Sequence, residues 1–392
     1  MPKNIWRCSL KFIFLNILLV FSVAYAQEVT PTQRTYETIQ FDDDLDFENV
    51  ELAIARQLRS YDRIGLKGTI RFGTKVYPKS IMRDSLLHFQ KLTQKAKECL
   101  KLKNERQTCY DRFNASMNKD FAIYKTTPAK GESGYGKPQW TKFTAYYSPD
   151  FHGSRTPTER FNKAIYRLPD NDIDRNQSRV DIDYHGALAG KGLELFYVEE
   201  SFYDLYLLHV QGGGRIHVYG EDGKEEIKYL SYAGKNDLSF KMVYHYFVDN
   251  GLLPKNQATV PNQRKYLEEN PHMEPAVFSI CPSYIYFRES DEEPVGVNNI
   301  PLTEGRSVAI DRRIYKTFGI LNFIRAKKAI TDEADGKVRK VPFSRFFIAQ
   351  DTGGAIRGNA RCDLYMGYGK EAETTAYSLD DLGEQYMLVK KI

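Results

Sequence analysis

Short runs of aromatic and β-branched residues fill the chain from about residue 142 onward, and they constrain its fold more than any other feature. Such runs, bounded by Gly, Pro or Asp, are typical of strands. Many short strands at close spacing predict barrel or sandwich cores with helices at their margins. The predicted strands include "KFTAYYS", "LELFYVE", "FYDLYLLHVQ", "RIHVYG", "EIKYLSYAG", "AVFSI", "YIYFR", "SVAIDRR", "GILNFIRAKKAI", "SRFFIAQD", "CDLYMG" and "EQYMLVKK".

Helical periodicity marks other parts of the chain. Between Ser80 and Tyr124 apolar residues recur three and four positions apart, which predicts helices. The stretches "FKMVYHYFVDNGLL" and "NQRKYLEENP" are also predicted to be helical. Residues 27–50 form a polar, acidic leader, and "TPAKGESGYGKP" (127–138) is predicted to be a linker by its Gly, Pro and Ser content.

The first 26 residues are predicted to be a secretion signal. Lys3, Arg7 and Lys11 accompany the apolar run "FIFLNILLVFSV", and "AYA" supplies small residues for cleavage before Gln27. The alternative is an uncleaved anchor, although the run is short for a transmembrane span. No cysteine stands directly after the run, so no lipid-attachment site is expected, and no later stretch could cross a bilayer. We therefore expect a periplasmic protein, with outer-membrane association left open.

Charge and composition narrow the classes of partner. The signal carries three positive charges and no acids, so its removal leaves a net charge of 5 − 3 = +2. That charge is too small to indicate a nucleic-acid partner. Aromatic residues make up 13% of the chain, which fits either sugar-stacking sites or an ordinary β-rich core.

Four cysteines remain after the signal, and an exported chain can oxidise them. Cys99 and Cys109 flank a short helical stretch and could close a local loop, whereas Cys281 with Cys362 would be a long-range link. The sequence alone allows three pairings, and we predict the Cys281–Cys362 bond. No C-x-x-C motif or His cluster is present, so neither a metal site nor a cofactor is expected.

Three aspartates near the end of the chain are candidates for acid–base chemistry. Asp351 and Asp363 lie in the glycine-dense stretch "FFIAQDTGGAIRGNARCDLYMGYG", and Asp311 ends the predicted strand "SVAID". Glycosidic cleavage needs a carboxylic acid that keeps its proton near neutral pH, and most glycosidases add a second carboxylate. The alternative is turn chemistry, since Asp often ends strands. A lone D-T-G does not indicate an aspartic protease, which needs two such motifs.

Seven segments in order resemble the lytic murein transglycosylase A family, whose C-terminal barrel is named for three aspartates. Asp311, Asp351 and Asp363 stand where those three belong, and the resemblance spans roughly Phe143 to Ile392. The segments are "FTAYYSPDFHGSRTPTERFNKAIYRLP", "GALAGKGLELFYVE", "HVQGGGRI", "SYAGKN", "SVAIDRR", "IAQDTGGAIRG" and "CDLYMGYG".

The resemblance implies a mainly β fold with helices, in which a smaller β domain is inserted into a double-psi β-barrel. It places a signal peptide at 1–26, a leader and helical region at 27–136, the barrel at 137–155 and 241–392, and the insert at 156–240. A groove between the two β domains would hold a peptidoglycan glycan strand. Proteins of cell-wall synthesis or division are further candidate partners.

The family's reaction cuts the β-1,4 bond between N-acetylmuramic acid and N-acetylglucosamine without water, leaving a 1,6-anhydro ring. Since the substrate supplies the nucleophile, one carboxyl can act as acid and then as base. The resemblance assigns that role to Asp363, with Asp351 raising its proton affinity and Asp311 positioning a turn. The expected sugar contacts are Tyr146, Arg155, Thr156, Thr158, Gln211, Gly353 and Gly354.

Departures from the family pattern leave two alternatives open. The chain has Gln211-Gly212-Gly213-Gly214 where Q-G-S-G is usual, and "DLSFKM" follows "SYAGKN" in place of the usual Gly-His-Pro-Tyr-Arg stretch. The first alternative is a hydrolase that uses Asp351 as base and Asp363 as acid. The second is a cell-wall glycan-binding protein with reduced turnover.

Overall fold

A computed structural model describes residues 28–30, 32–102, 105–128, 140–220, 223–293, 295–331 and 338–392. The predicted signal peptide and most of the predicted linker lie outside these residues. The strands are β1 (Glu28–Thr30), β2 (Thr32–Thr35), β3 (Thr69–Phe72), β4 (Lys75–Pro78), β5 (Phe121–Thr126), β6 (Thr141–Ser148), β7 (Asp150–Ser154), β8 (Lys163–Tyr166), β9 (Glu194–Val198), β10 (Gly213–Tyr219), β11 (Glu225–Lys235), β12 (Ile285–Ser290), β13 (Ser307–Ala309), β14 (Leu321–Thr331), β15 (Val338–Asp351), β16 (Arg361–Tyr368) and β17 (Asp380–Lys390).

The helices fall into an N-terminal group, a group around the middle sheet, and one helix near the C-terminus. They are α1 (Val50–Ile64), α2 (Ile81–Leu100), α3 (Arg106–Asp120), α4 (Asp172–Arg175), α5 (Arg179–Asp183), α6 (Phe202–Gln211), α7 (Tyr244–Asp249), α8 (Val260–Glu269), α9 (Glu274–Ser279) and α10 (Gly369–Ser378), with 3-10 turns at Pro271–Met273 and Val297–Asn299. Within the described residues no helix is both long and apolar enough to cross a membrane.

Six strands form a closed barrel. Neighbouring strands pair in the order β14, β15, β13, β16, β6 and β17, and β17 pairs back with β14 to close the ring. Strands β5 and β2 extend the sheet outward from β17. Closure leaves the ring itself without an exposed edge. The predicted barrel architecture, mainly β with helices, is therefore confirmed.

A second, six-stranded sheet pairs in the order β12, β11, β10, β7, β9 and β8. This sheet runs from β7 to β12 along the chain, so it includes residues 150–154 and 285–290, which the sequence analysis assigned to the barrel domain. Helix α6 packs its apolar side chains against this sheet. The domain boundaries remain a proposal, and the strand pairing favours an insert that extends to about Ser290.

Two predicted strands are helices in the structure, so these predictions were wrong. "FYDLYLLHVQ" forms α6, and most of "AVFSI" lies in α9. Ser201 caps α6 by accepting a hydrogen bond from the Asp204 backbone. Leu205 and Leu208 of α6 enter one apolar core, while its Tyr206 enters another. A helix buried on several faces loses the polar stripe that reveals a 3.6-residue period.

The N-terminal helices and the barrel share one apolar core. Phe346 of β15 lies 4.7 Å, ring centre to ring centre, from Phe89 of α2 and 5.9 Å from Phe113 of α3. A buried ion pair joins the same parts, since Arg306 donates to both carboxylate oxygens of Asp43 at 2.7 and 2.9 Å. Removing one partner of such a pair would leave an uncompensated buried charge. The N-terminal region is thus part of the barrel's packing.

The cysteines pair locally. Cys99 and Cys109 form a disulfide across the hairpin of α2 and α3, with Cα atoms 5.6 Å apart. Cys281 and Cys362 are free and buried, so the predicted bond between them is not formed. The reason is their location: Cys362 lies in the barrel core, whereas Cys281 packs in a separate core among α6, α7, α8 and α9.

Candidate active site

Asp351 and Asp363 lie on opposite sides of strand β13. Its last residue, Ala309, pairs with Asp351 of β15 in parallel register and with Asp363 of β16 in antiparallel register. A register shift after Val308 and a 3.0 Å bond from the Ile310 backbone N–H to the Asp351 carbonyl accompany this pairing. One short central strand therefore brings together two acids that are twelve positions apart in sequence.

Asp363 is partly buried at the centre of β16. Its register partner on β6 is Thr144, whose hydroxyl donates a hydrogen bond to Oδ1 of Asp363. Loss of hydration raises the pKa of Asp363, although the Thr144 hydrogen bond and the charge of Arg361 act in the opposite direction. The carboxyl therefore holds a proton more readily than a surface aspartate does.

Asp351 is held by Tyr146, which lies on the same strand as Thr144. Tyr146 donates its phenolic proton to Oδ2 of Asp351 at 2.6 Å. Burial raises the pKa of Asp351 to about 6, and the negative charge of Asp363 contributes in the same direction. The sequence-based expectation was the converse, that Asp351 raises the proton affinity of Asp363. The charge of Asp363 is a smaller cause than burial, and the hydrogen bond from Tyr146 opposes both.

Asp311 has a different environment. It is fully buried, and the Arg313 guanidinium donates to both of its carboxylate oxygens while the Gly358 backbone N–H donates to Oδ2 at 2.9 Å. Despite the cost of burial, these donors lower the pKa of Asp311 to about 2. A permanently charged Asp311 ties the turn after β13 to the glycine-rich turn before β16.

A groove of about 340 Å³ separates the barrel from the second sheet. The barrel contributes Tyr146, Asp351 and Thr352, and the second sheet with its neighbouring helix contributes Gln211, Gly213 and Arg288 among others. The loop between β12 and β13 forms a third wall. Of the predicted sugar contacts, the structure brings Tyr146 and Gln211 together with Asp351 here.

Three predicted sugar contacts lie elsewhere, in the loop that follows β7. Arg155 makes a two-pronged ion pair with Glu289, at 2.7 and 2.8 Å, and its guanidinium lies 4.8 Å above the Phe196 ring. Thr156 is exposed, and the Thr158 hydroxyl accepts the Phe161 backbone N–H within a turn. Arg155 and Thr158 therefore have partners within the insert, none of the three lines the groove, and their contact with a sugar stays a prediction.

Gly296 is a glycine at which the backbone approaches Asp351 closely, whereas the predicted sugar contacts Gly353 and Gly354 are not in the groove wall. A Cβ atom on Gly296 would lie 2.4 Å from the Gln350 carbonyl and 3.1 Å from Oδ1 of Asp351. A Cβ atom on Gly354 would meet nothing within 4 Å, and one on Gly353 would meet only Ile356. The sequence signal for Gly296 was its position in the turn-like stretch "EEPVGVNN".

Sequence analysis also missed Thr144. The alternation of a strand places residues i and i+2 on the same face, so the choice of Tyr146 could have led to Thr144. Arg288 and Tyr232 were missed as groove residues, and they come from β12 and β11 of the second sheet. Among the described residues, the one cluster with metal-ligand geometry is Cys99, Glu105 and Cys109, and its two thiols are bonded to each other.

The fold matches that of known proteins. A sequence profile of the MltA specific insert domain matches residues 142–288, and one of the 3D domain matches residues 306–389. A crystal structure of E. coli MltA with bound chitohexaose superposes with a TM-score of 0.67 at 23% identity, covering 93% of this chain and 96% of that one. The barrel with its inserted sheet is thus the fold of that double-psi barrel protein.

Sequence identity to known proteins establishes the family to which the chain belongs. Membrane-bound lytic murein transglycosylase A of Vibrio cholerae serotype O1 is 33% identical over 263 residues, which cover 63% of this chain and 64% of that protein. The protein of the same name in Escherichia coli K12 is 32% identical over 263 residues, covering 66% of this chain and 67% of that one. The chain belongs to the lytic murein transglycosylase A family. It spans just under two thirds of the length of the Vibrio relative.

Proposed function

We propose that the protein cleaves peptidoglycan glycan strands as a lytic transglycosylase, with Asp363 as its one acid/base. The observation that carries the proposal is the pairing of Asp363 with Asp351 across β13, beside the groove that Asp351 lines. Partial burial and the raised pKa of Asp363 favour a protonated carboxyl, which a general acid requires.

In the proposed reaction Asp363 first donates its proton to the glycosidic oxygen as the C1–O bond breaks. The C6 hydroxyl of the muramic acid then attacks C1, and the deprotonated Asp363 accepts the hydroxyl proton. The glycosidic C1–O bond is thus replaced by a bond between C1 and the C6 oxygen of the same sugar, and Asp363 ends protonated, as it began. Thr144 orients Asp363, while Tyr146 orients Asp351.

A hydrolase is the second candidate, and one observation favours it. The pKa of both Asp351 and Asp363 is raised, and both flank the same residue of β13. Above pH 6 Asp351 could serve as the base for a water while Asp363 serves as the acid. The two reactions differ in product, because hydrolysis adds water to the new muramic acid end and the lyase reaction does not.

We further propose that the protein acts on peptidoglycan outside the cytoplasmic membrane. The predicted signal at 1–26 supports export, and the names of the relatives describe membrane-bound proteins. Cleavage before Gln27 would release the chain, since no lipid-attachment cysteine follows the apolar run. Cell fractionation with N-terminal sequencing tests this, and a start at residue 1 or a lipid adduct would contradict it. Division or synthesis proteins remain candidate partners.

The test of the reaction is mass spectrometry of the products released from purified sacculi. Anhydro ends, 18 mass units below the corresponding reducing products, support the lyase. Reducing muramic acid ends support the hydrolase. The Asp363→Asn protein in a parallel digest serves as the control, because its groove is retained while its transferable proton is lost. Absence of any released fragment would overturn both reactions.

A further inference from the structure

A second cavity, of about 620 Å³, adjoins the groove. The two share Val295, Gly296, Asp351 and Thr352 in their walls, so a ligand in the groove can reach into this cavity. Its remaining wall differs from that of the groove, because it includes two cationic side chains, Arg312 and Lys316. The cavity is therefore the positively charged extension of a mainly uncharged groove.

The two cations are exposed and have no acidic partner among the described residues. The adjacent Arg313 differs, since it is paired with Asp311 and is not in the cavity wall. A cation without a partner that faces a cavity keeps its capacity to bind an anion. The carboxylate nearest in the cavity wall is Asp351, and Tyr146 already donates to it.

Arg312 and Lys316 stand on a turn that is held at several points. The Tyr315 backbone N–H bonds to the Asp311 carbonyl at 2.9 Å, which closes a helical turn. The buried Tyr315 hydroxyl donates to the Asn359 carbonyl at 2.9 Å. Arg312 lies within this turn and Lys316 directly follows it, and both line the same cavity, so the two cations are presented together from a held backbone. Such preorganisation reduces the entropic cost of binding.

We propose that Arg312 and Lys316 bind a carboxylate on the lactyl–peptide arm of a muramic acid whose glycan strand occupies the adjoining groove. This inference rests on the proposed function for the identity of the strand. The hydroxyl and acetamido groups of the sugars are uncharged, so an anion in this cavity must come from the arm. The source is either a carboxylate of the peptide or, where the peptide has been removed, the lactyl carboxylate itself.

The experiment measures equilibrium binding in the Asp363→Asn background, so that no ligand is consumed. The probes are peptide-bearing glycan strands, strands stripped of peptide by an amidase, and chitohexaose, which has no lactyl group. The test protein carries Arg312→Gln with Lys316→Gln. The control carries Lys91→Gln with Lys255→Gln, which removes two exposed charges from outside both cavities.

Loss of the two cations should weaken binding of peptide-bearing strands about tenfold or more, because charge-assisted contacts are lost. Chitohexaose should bind equally to test and control proteins. If the variant also binds the stripped strands tenfold more weakly, the lactyl carboxylate alone is sufficient for the contact. If it binds the stripped strands as well as the control does, the bound anion is a carboxylate of the peptide. Equal weakening for all three probes, or none for peptide-bearing strands, overturns the proposal. Failure of the wild type to release products would instead refute the proposed function, and this binding comparison would remain valid.

Discussion

Tyr146 donates its phenolic proton to Asp351 at 2.6 Å, and Thr144, two residues earlier on the same strand, donates to Asp363. Strand β6 thus supplies one hydroxyl donor to each carboxylate. A hydroxyl that donates to a carboxylate stabilises its charged form and opposes the effect of burial. Strand β6 therefore limits how far the pKa of each acid can rise.

Asp363→Asn should reduce turnover by at least about 10²–10⁴-fold, the usual contribution of general acid–base catalysis. The amide keeps the shape of the side chain but cannot transfer the proton. Binding of glycan strands should persist, because the groove residues are unchanged. Product release from sacculi gives the rate, with Asp170→Asn, at an almost fully exposed position, as the matched control. Near-normal turnover would contradict the assignment.

Asp351→Asn should shift the high-pH limb of kcat/KM to lower pH. The reaction starts with a protonated acid, so activity falls as pH rises through the pKa of that acid. Burial raises the pKa of Asp351 to about 6, and the negative charge of Asp363 contributes to this rise. Removing one negative charge of the pair makes the remaining proton easier to lose. A pH–rate profile from pH 4 to 9 measures the shift. A high-pH limb that is unchanged, or that moves to higher pH, would show that the charge of Asp351 does not raise the pKa of the catalytic acid.

Arg56→Ala should lower kcat/KM by roughly tenfold while changing the melting temperature little. Arg56 of α1 pairs with Glu293 and donates to the Leu302 carbonyl, so it braces the loop whose Val295 and Leu302 form a groove wall. Misplacing a groove wall by about 1 Å can cost this much. Arg83→Ala is the control, because it breaks an exposed ion pair with Asp62. Equal effects of the two changes would exclude a bracing role.

Gly319→Ala should destabilise the protein more than Gly190→Ala does. Both glycines have positive φ, +86° and +71°, so both alanines incur the left-handed backbone cost of roughly 1–2 kcal/mol. At Gly319 the added Cβ would also lie 1.8 Å from the Tyr61 hydroxyl, whereas at Gly190 nothing lies within 4 Å. Urea unfolding midpoints measure the difference. Equal midpoints would mean that Tyr61 of α1 can move away from residue 319 at little cost in free energy.

Peptide mapping without reduction should recover Cys99 linked to Cys109, with Cys281 and Cys362 as free thiols. Closing a loop of this size stabilises by about 3 kcal/mol in the chain-entropy model. Reduction should therefore lower the unfolding midpoint, and Cys99→Ser with Cys109→Ser should reproduce that change. A midpoint that is insensitive to reductant would contradict the stabilising role.

The strands of the barrel could be predicted because they are short runs rich in aromatic and β-branched residues and bounded by Gly, Pro or Asp, as in "SRFFIAQD". Helix α6 could not be predicted, because its apolar residues pack into two separate cores and the sequence therefore shows no clear helical period. The three aspartates were identified by motif. Their environments were not, because the 2.6 Å contact of Tyr146 joins residues 205 positions apart.

The assignment of Arg155 illustrates the same difficulty. Its motif suggested a sugar contact, yet its partner is Glu289, 134 positions later in the chain. The pairing of β11 with β12 brings Glu289 into this sheet, and no local pattern indicates that pairing. Long-range pairing therefore decides which polar residues reach the groove.

The position of β17 in the barrel has a consequence for how the chain can fold. This strand, Asp380–Lys390, pairs with β14 on one side and with β6 and β5 on the other, so it joins the ring to the strands that lead in from the N-terminal helices. It is also the last of the described strands along the chain. The ring cannot close until this strand has joined β14 and β6, whose edges stay unpaired and open to association with other strands until then. Contacts of such long sequence separation also favour slow folding.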